Sequence, residues 1–127
     1  MNKIKLRGNF GEAFAKNYLK SNGYSIVSSN FSSRYGEIDI IAKDSDYIIF
    51  VEVKFYKSEF SSIGVNRVNL AKQRKIIATS LVYMEQNFVS NQPRFDVVGI
   101  AFDSKRGVVS INHIKNAFQT DRFQEIF

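Results

Sequence analysis

Three charged residues lie inside segments that otherwise have the composition of buried β-strands. Residues 48–55 run Ile-Ile-Phe-Val-Glu-Val-Lys-Phe, and strand alternation puts Glu52 and Lys54 on the same face as the first isoleucine and the phenylalanine at the third position. Residues 37–41 set Asp39 among isoleucines in the same way. Because a charge on a buried face destabilises the fold unless it is paired or binds a metal, these three residues are candidates for metal-ion chemistry.

The short turn between these two segments predicts that the carboxylates meet. Residues 44–46, Asp-Ser-Asp, separate two apolar runs, and such a turn is typical of an antiparallel hairpin. In that hairpin Asp39 lies opposite residues 50–52, so Asp39 and Glu52 approach one another. The alternative is that Glu52 and Lys54 form an ion pair at the sheet edge, since a Glu-x-Lys triplet alone is a weak signal.

The composition restricts the kind of metal. The 127 residues include no cysteine and one histidine, His113. They therefore exclude a disulfide scaffold, a thiolate nucleophile, a sulfur-ligated zinc site and a multi-histidine site within one chain. The ligands of any metal should be oxygen atoms, which favour magnesium, manganese or calcium.

The charge distribution favours a polyanionic partner. The net charge is +6 and the pI is about 9.6. Residues 1–22 and 57–89 are net basic, whereas residues 23–56 are net acidic. We interpret this pattern as an anionic metal site between phosphate-binding surfaces, the alternative being an ordinary solvated surface of mixed charge.

Length and hydropathy predict a single domain over residues 1–127, in the cytoplasm. The chain has the size of one domain, and its longest strongly apolar stretch, residues 97–102, is far shorter than a membrane span. The basic residues near the start are not followed by the apolar run of a signal peptide. We expect no membrane partner.

Periodicity and turn residues predict an α/β domain with a mixed central sheet of about five strands flanked by helices. The predicted order is helix 8–21, strands 24–31, 36–43 and 47–56, helix 66–87, and strands 94–102 and 107–114. The first helix is expected to turn Phe10, Phe14 and Tyr18 toward the core. The second helix is expected to do so with Leu70, Ile77, Leu81, Met84 and Phe88.

Two polar residues adjoin these apolar stripes. Glu12 lies among small residues such as Gly11, which would let the helix backbone approach another element closely. Its alternative role is an i,i+4 pair with Lys16, which is worth only a few tenths of a kcal/mol. Gln73 lies beside the stripe of the second helix, where it either caps a strand's backbone or holds a water or a phosphate oxygen.

Several motifs, in order and spacing along nearly the whole chain, resemble those of the YraN-like family of bacterial proteins. They are Gly11-Glu12, Gly36-Glu37-Ile38-Asp39, Phe50-Val51-Glu52-Val53-Lys54, Lys72-Gln73-Arg74-Lys75, Arg94-Phe95-Asp96-Val97-Val98 and the segment from Ile111 to Phe118. That family is largely uncharacterised. It is similar to the PD-(D/E)xK nuclease superfamily, and especially to archaeal Holliday-junction resolvases.

The resemblance implies a restriction-endonuclease-like three-layer fold and a metal-dependent endonuclease acting on nucleic acid, with structured or junction DNA the expected substrate. By this resemblance Asp39 and Glu52 are the two acids of the motif and Lys54 is its lysine. Glu12 then matches the helical glutamate of the resolvases, and Gln73 matches a glutamine in the helix that follows the motif.

The expected roles follow from these positions. Asp39 and Glu52, with the Val53 carbonyl, would hold Mg²⁺ or Mn²⁺, and Lys54 would orient the attacking water or stabilise negative charge on the phosphate. Glu12 would anchor a water at the metal. Non-specific phosphate contacts are expected from Lys3, Lys5, Arg7, Arg67, Lys72, Arg74 and Lys75.

The sequence departs from the family patterns at two places. Ile38 stands before Asp39 where the superfamily name has a proline. Phe55 and Tyr56 follow Lys54 where YraN-like proteins usually have Thr-Arg, which removes one cation beside the site. His113 is expected to be a structural or surface residue, since this superfamily needs no histidine base.

Two other functions remain open at this point. The chain could be a non-catalytic nucleic-acid-binding module that retains the nuclease fold, or a protein-interaction domain with a chance acidic cluster. Because the resolvases act as dimers, the resemblance also implies a homodimer as a candidate assembly. An exposed aromatic tail of Phe118, Phe123 and Phe127 would then contribute to the interface.

Overall fold

A computed structural model describes residues 3–56 and 68–119, with side chains from residue 10 onward. The predicted element order is confirmed. The elements are α1 (Lys3–Ser21), β1 (Ser25–Ser33), β2 (Gly36–Lys43), β3 (Tyr47–Tyr56), α2 (Leu70–Gln86), β4 (Gln92–Asp103) and β5 (Val108–Phe118). Arg67, Phe123 and Phe127 lie outside the described residues, as do the side chains of Lys3, Lys5 and Arg7.

The five strands form one mixed sheet in the order β1-β2-β3-β4-β5. Neighbouring strands are antiparallel except β3 and β4, which run parallel over Tyr47–Tyr56 and are connected in sequence by the segment that contains α2. This parallel pair puts the charged end of β3 beside the middle of β4. In the described parts of the chain, neither helix is long and apolar enough to cross a membrane.

A helix covers each face of the sheet, which gives three layers. Ile76 and Ile77 of α2 pack with Phe50 and Phe95 on one face. On the other face, Ala15 and Leu19 of α1 pack with residues such as Ile40, Ile49, Val51, Val98 and Ile100. The chain is therefore an α/β domain consistent with the restriction-endonuclease-like three-layer architecture.

The predicted core stripe of α1 is confirmed in part: Phe14 and Tyr18 are half-buried and pack against the core, but the most buried positions lie one residue further along the helix. Gly11, Ala15 and Leu19 are buried, whereas Phe10 is 49% exposed. Small residues face the sheet because the helix approaches it closely: a Cβ atom on Gly11 would lie 3.2 Å from the Phe55 ring. The close approach expected beside Glu12 therefore occurs, and it is made against β3.

The predicted stripe of α2 is wrong at both ends. Leu70 is 41% exposed because it is the first helical residue, after the N-cap Asn69, rather than a residue inside a longer helix. Phe88 is 93% exposed because it lies past the C-cap with a φ of 53°, where helical periodicity no longer applies. Ile77, Ser80 and Tyr83 are among the residues that face the core instead; the complete buried set is Ile76, Ile77, Ala78, Thr79, Ser80 and Tyr83.

Phe118 is not part of an exposed tail. Strand β5 continues past the predicted end through an irregularity, where Asn116 has a φ of 53°. This bend carries Phe118 into the core, where its ring stacks on Phe95 with centroids 5.0 Å apart. The predicted contribution of Phe118 to an exposed interface is therefore wrong.

Candidate active site

Asp39 and Glu52 lie where the pairing of β2 and β3 ends. The last paired residues are Ile40 and Val51, so the antiparallel register carries Asp39 toward Glu52, as the sequence predicted. The Asp39 carboxylate accepts a hydrogen bond of 2.8 Å from the Val53 amide. It thus satisfies a backbone donor just beyond the end of the ladder and is held next to Glu52.

Glu52 is buried against α2. Its side chain is 8% exposed and forms a salt bridge with Lys72, whose ammonium lies 2.5 Å from Glu52 Oε1. Strand alternation puts Glu52 on the same face of β3 as Phe50. Phe50 packs in one core with residues of α2, so this is the face that α2 covers. Lys72 of α2, which the sequence had assigned only to phosphate binding, is thus a salt-bridge partner of Glu52.

The pKa of Asp39 is raised from an ordinary value of 3.8 to about 7. Burial is the largest cause, and the negative charge of Glu52 adds to it, with a smaller contribution from Glu12. The hydrogen bond from the Val53 amide and the charge of Lys72 act in the opposite direction. Burial and the neighbouring acids therefore disfavour the charged form of Asp39 more than its donor and the Lys72 ammonium favour it.

Glu12 contributes to this acidic group from α1. Asn30, at a φ of 53° in β1, donates to a Glu12 carboxylate oxygen. In the amide orientation that satisfies both of its polar atoms, Asn30 donates to Glu12 over 2.9 Å and to Glu37 over 3.2 Å. Among the described residues, no three His, Asp or Glu side chains form a group that could hold a metal.

Gln73 is occupied by the backbone. Its side-chain nitrogen donates a hydrogen bond of 2.7 Å to the Val68 carbonyl, just before the helix N-cap. This contact resembles the capping role that the sequence left open, although Val68 precedes a helix rather than belonging to a strand. The structure thus shows Gln73 stabilising the start of α2.

Arg34 and Tyr35 form a basic, aromatic turn that the sequence analysis missed. They connect β1 and β2, and the Arg34 guanidinium donates to the Tyr35 hydroxyl over 2.7 Å. A hydrogen bond of 2.9 Å between the Ser33 and Thr79 hydroxyls fixes this turn against α2. The turn therefore lies beside the exposed Lys75 of α2. The signal in the sequence was an Arg-Tyr pair in a short hairpin connection.

The donor set at Asp39 and Glu52 fits a hard divalent cation. Two carboxylates with little exposure to solvent lie close enough to repel each other, and this repulsion is one cause of the raised pKa of Asp39. Magnesium is commonly bound by one or two carboxylates, with waters and substrate oxygens completing its shell. Asp39 and Glu52 can meet that requirement without a third side-chain ligand.

Comparison with known proteins places this site within a family. The model of the uncharacterised protein family UPF0102 matches residues 11–100. This chain belongs to that family. A UPF0102 protein of Clostridium tetani is 49% identical over 114 residues, covering 88% of this chain and 93% of the relative. A UPF0102 protein of Clostridium kluyveri is 42% identical over 113 residues, with the same coverage.

UPF0102 membership confirms the YraN-like resemblance. The matched region includes Glu12, Asp39, Glu52, Lys54 and Lys72. The similarity to PD-(D/E)xK nucleases and to archaeal resolvases stays a prediction, and so do the roles of these residues.

A second buried carboxylate in this UPF0102 chain is fully satisfied. Asp96 of β4, on the face covered by α1, is 1% exposed and accepts two hydrogen bonds from Arg94, of 2.9 and 2.8 Å. It is also hydrogen-bonded to His113 Nε2 at 2.7 Å and to the backbone N–H of Asn116 at 3.0 Å. Burial alone would raise the pKa of Asp96, but the hydrogen bonds from His113 and Arg94 hold it below its ordinary value.

Two tyrosines complete this network. The Tyr18 hydroxyl lies 3.0 Å from His113 Nδ1, and Arg94 donates to the Tyr24 hydroxyl over 3.0 Å. The network therefore ties α1 and the residue that precedes β1 to β4 and β5. His113 occupies a structural position in it, and sequence analysis had assigned no role to Asp96.

The raised pKa of Asp39 predicts an unusual pH dependence of stability. A carboxyl group whose folded-state pKa lies above its unfolded value stabilises the fold at low pH, and that contribution is lost as the pH rises through about 7. Without metal, Asp39→Asn should therefore leave stability unchanged or raise it by about 1–2 kcal/mol at pH 8. The advantage of the variant should shrink toward pH 5.

Urea unfolding at both pH values measures this difference, and thermal melts with Mg²⁺ or Mn²⁺ supply the second readout. The variant should lose the stabilisation that metal gives the wild type, because the native state no longer binds the ion tightly. A loss of several kcal/mol in Asp39→Asn, with no metal effect in the wild type, would identify Asp39 as a structural partner instead.

Proposed function

We propose that this UPF0102 protein is a metal-dependent endonuclease that hydrolyses phosphodiester bonds of nucleic acid, with structured or junction DNA as its substrate. The observation that supports this most is the carboxylate pair at the open end of the β2–β3 ladder. Asp39 and Glu52 are held together there although their charges repel, whereas Asp96, which is more deeply buried than Asp39, is surrounded by donors. A divalent cation bound between these two acids would relieve their repulsion.

The metal ligands in this proposal are Asp39, Glu52 and the Val53 carbonyl. When bound, Mg²⁺ or Mn²⁺ would supply Lewis acidity toward the phosphate and lower the pKa of water. The hydrogen bond from the Val53 amide fixes the Asp39 carboxylate, so this ligand needs little reorganisation.

Lys54 is the residue proposed to act on the reacting phosphate. It follows Glu52 by one strand repeat, about 6.6 Å along β3, and alternation places both side chains on one face. An ammonium at this position would stabilise negative charge that develops on the phosphate oxygens. Glu12, held by Asn30, would orient a water from the α1 side.

The surface beside the site favours nucleic acid as the partner. Arg74 and Lys75 are exposed on α2, and Arg34 stands on the adjoining turn. A Cβ atom on Gly36 would lie 3.3 Å from Lys75 Cβ, so this turn and α2 form one continuous surface. Cations of this kind bind backbone phosphates without reading sequence. The proposal places the protein in the cytoplasm with its DNA, and a homodimer stays a prediction.

The test is a titration of Mg²⁺ and Mn²⁺ against single-stranded, duplex, flap and four-way-junction DNA. We expect binding that weakens steeply between ~50 and ~200 mM salt, with little sequence preference. At least one structured DNA should be cut, and only when the divalent ion is present.

A negative result in the cleavage assay and a negative result in the binding assay point to different alternative functions. Salt-sensitive binding to the same DNAs without cleavage under either ion would replace this proposal with the non-catalytic nucleic-acid-binding module. Absence of binding at low salt would point to a protein-interaction domain and would contradict both nucleic-acid functions.

A further inference from the structure

Lys72 occupies an electrostatically unfavourable position on α2. Asn69 is the N-cap and accepts a hydrogen bond of 2.8 Å from the Lys72 amide, so Lys72 lies in the first helical turn. That turn contains no acidic residue. Because the N-terminal end of a helix carries partial positive charge, a lysine there is less favourable than an acid. Its placement is explained by the contact that its ammonium makes across the site.

That contact joins Lys72 to one of the proposed metal ligands. The ammonium contacts Oε1 of Glu52 in a salt bridge. The hydrogen bond to that carboxylate is the largest cause of the raised pKa of Lys72. A divalent cation on Glu52 would repel an ammonium at the same oxygen. Lys72 and the metal are therefore competitors for Glu52.

The Lys72 side chain can leave this position without disturbing the core. It is 49% exposed, whereas Glu52 is 8% exposed. A lysine carries a compact charge on a flexible four-carbon chain, so its ammonium can move toward solvent while the helix stays in place. Nucleic acid bound to the exposed Arg74 and Lys75 of the same helix would bring phosphates close to Lys72.

We propose that Lys72 is an exchange residue, which holds the Glu52 carboxylate until a divalent cation takes its place and then contacts a phosphate of the bound nucleic acid. This inference rests on the proposed function. It makes Lys72 a positioning residue that couples the two ligands. Both the metal and the nucleic acid favour the state in which Lys72 has left Glu52. The metal therefore strengthens nucleic-acid binding, and nucleic acid strengthens metal binding by the same factor.

The experiment measures Mn²⁺ affinity by calorimetry at pH 8, without nucleic acid, in the wild type and three variants. Lys72→Gln removes the competitor and should bind Mn²⁺ about tenfold more tightly than the wild type. Arg74→Gln removes the same charge from the same helix without a contact to Glu52, so its affinity should stay close to the wild-type value. Lys72→Arg keeps a cation and should also stay close to it. Thermal melts verify that each variant is folded.

The second readout is the affinity for four-way-junction DNA with and without Mn²⁺, measured in a Lys54→Ala background so that the DNA stays intact. Addition of Mn²⁺ should increase DNA affinity about tenfold with Lys72 present, and by much less in Lys72→Gln. Arg74→Gln should weaken DNA binding equally with and without the metal.

The outcomes separate this inference from the proposed function. If the wild type binds Mn²⁺ and Lys72→Gln binds it no more tightly than Arg74→Gln does, the exchange role is wrong and the metal site stands. If neither the wild type nor any folded variant binds Mn²⁺, both the exchange role and the metal-dependent function are wrong.

Discussion

Lys54→Ala is expected to reduce metal-dependent DNA cleavage at least about 100-fold, while Mn²⁺ affinity stays within a few-fold of the wild type. The reason is the position of Lys54 on β3. It lies one strand repeat beyond Glu52, on the same face of β3, and an ammonium does not ligate a metal. Removing it would therefore leave the carboxylate ligands intact but take away a positive charge where the phosphate becomes more negative.

The measurement is single-turnover cleavage of the DNA that the wild type cuts best, combined with calorimetric Mn²⁺ binding. Lys43→Ala is the matched control, since Lys43 is an exposed strand lysine at the far end of β2, where it pairs with Ile48. The control should cut at close to the wild-type rate. Cleavage by Lys54→Ala at more than about a tenth of the wild-type rate would contradict a role at the reacting phosphate.

Short-range signals in the sequence were sufficient to predict that Asp39 meets Glu52. The register of a hairpin is set by its turn, and here the Asp44 carboxylate accepts hydrogen bonds from the Asp46 and Tyr47 amides. A fixed turn and a strand period of two residues leave little freedom in which side chains face each other. This part of the site therefore followed from local chemistry.

The partners supplied by other elements could not be predicted in this way. Lys72 reaches Glu52 only because α2 packs on that face of the sheet and begins at Leu70, after the Asn69 cap. The apolar spacing had suggested a helix starting four residues earlier and a different buried stripe. Successive side chains of an α-helix point about 100° apart around its axis. An error of one residue in the predicted buried stripe therefore changes which neighbours each side chain contacts, and periodicity alone does not determine those contacts.

A charge within an apolar strand indicates a buried charge, but it does not by itself indicate an active site. Asp96 stands among Phe95, Val97 and Val98 just as Asp39 stands among isoleucines. What distinguishes them is their surroundings, which the sequence does not contain. Donors from three residues hold the pKa of Asp96 low, whereas burial and neighbouring acids hold the pKa of Asp39 high. Asp39, whose surroundings disfavour its charged form, is the better candidate for function.

This contrast predicts a large loss of stability in Asp96→Asn, of about 3–5 kcal/mol at pH 7. The substitution nearly preserves the shape of the side chain. It removes the carboxylate charge that pairs with the Arg94 guanidinium and with His113. The Arg94 side chain is 12% exposed, so it would be left as a poorly solvated cation. Asp39→Asn, by comparison, should be neutral or stabilising, although both changes replace one strand aspartate by asparagine.

Urea unfolding of the two variants and of Asp103→Asn measures these effects. Asp103 is on the same strand as Asp96 but pairs with the exposed Arg106 over 3.9 Å, so this control should lose less than about 1 kcal/mol. Because the folded-state pKa of Asp96 is below its ordinary value, its contribution is present at neutral pH and lost as the pH falls through the acidic range. The deficit of Asp96→Asn should therefore shrink in acid. A deficit below about 1 kcal/mol at pH 7 would show that the Asp96 network is not a major source of stability, and the contrast with Asp39 would lose its force.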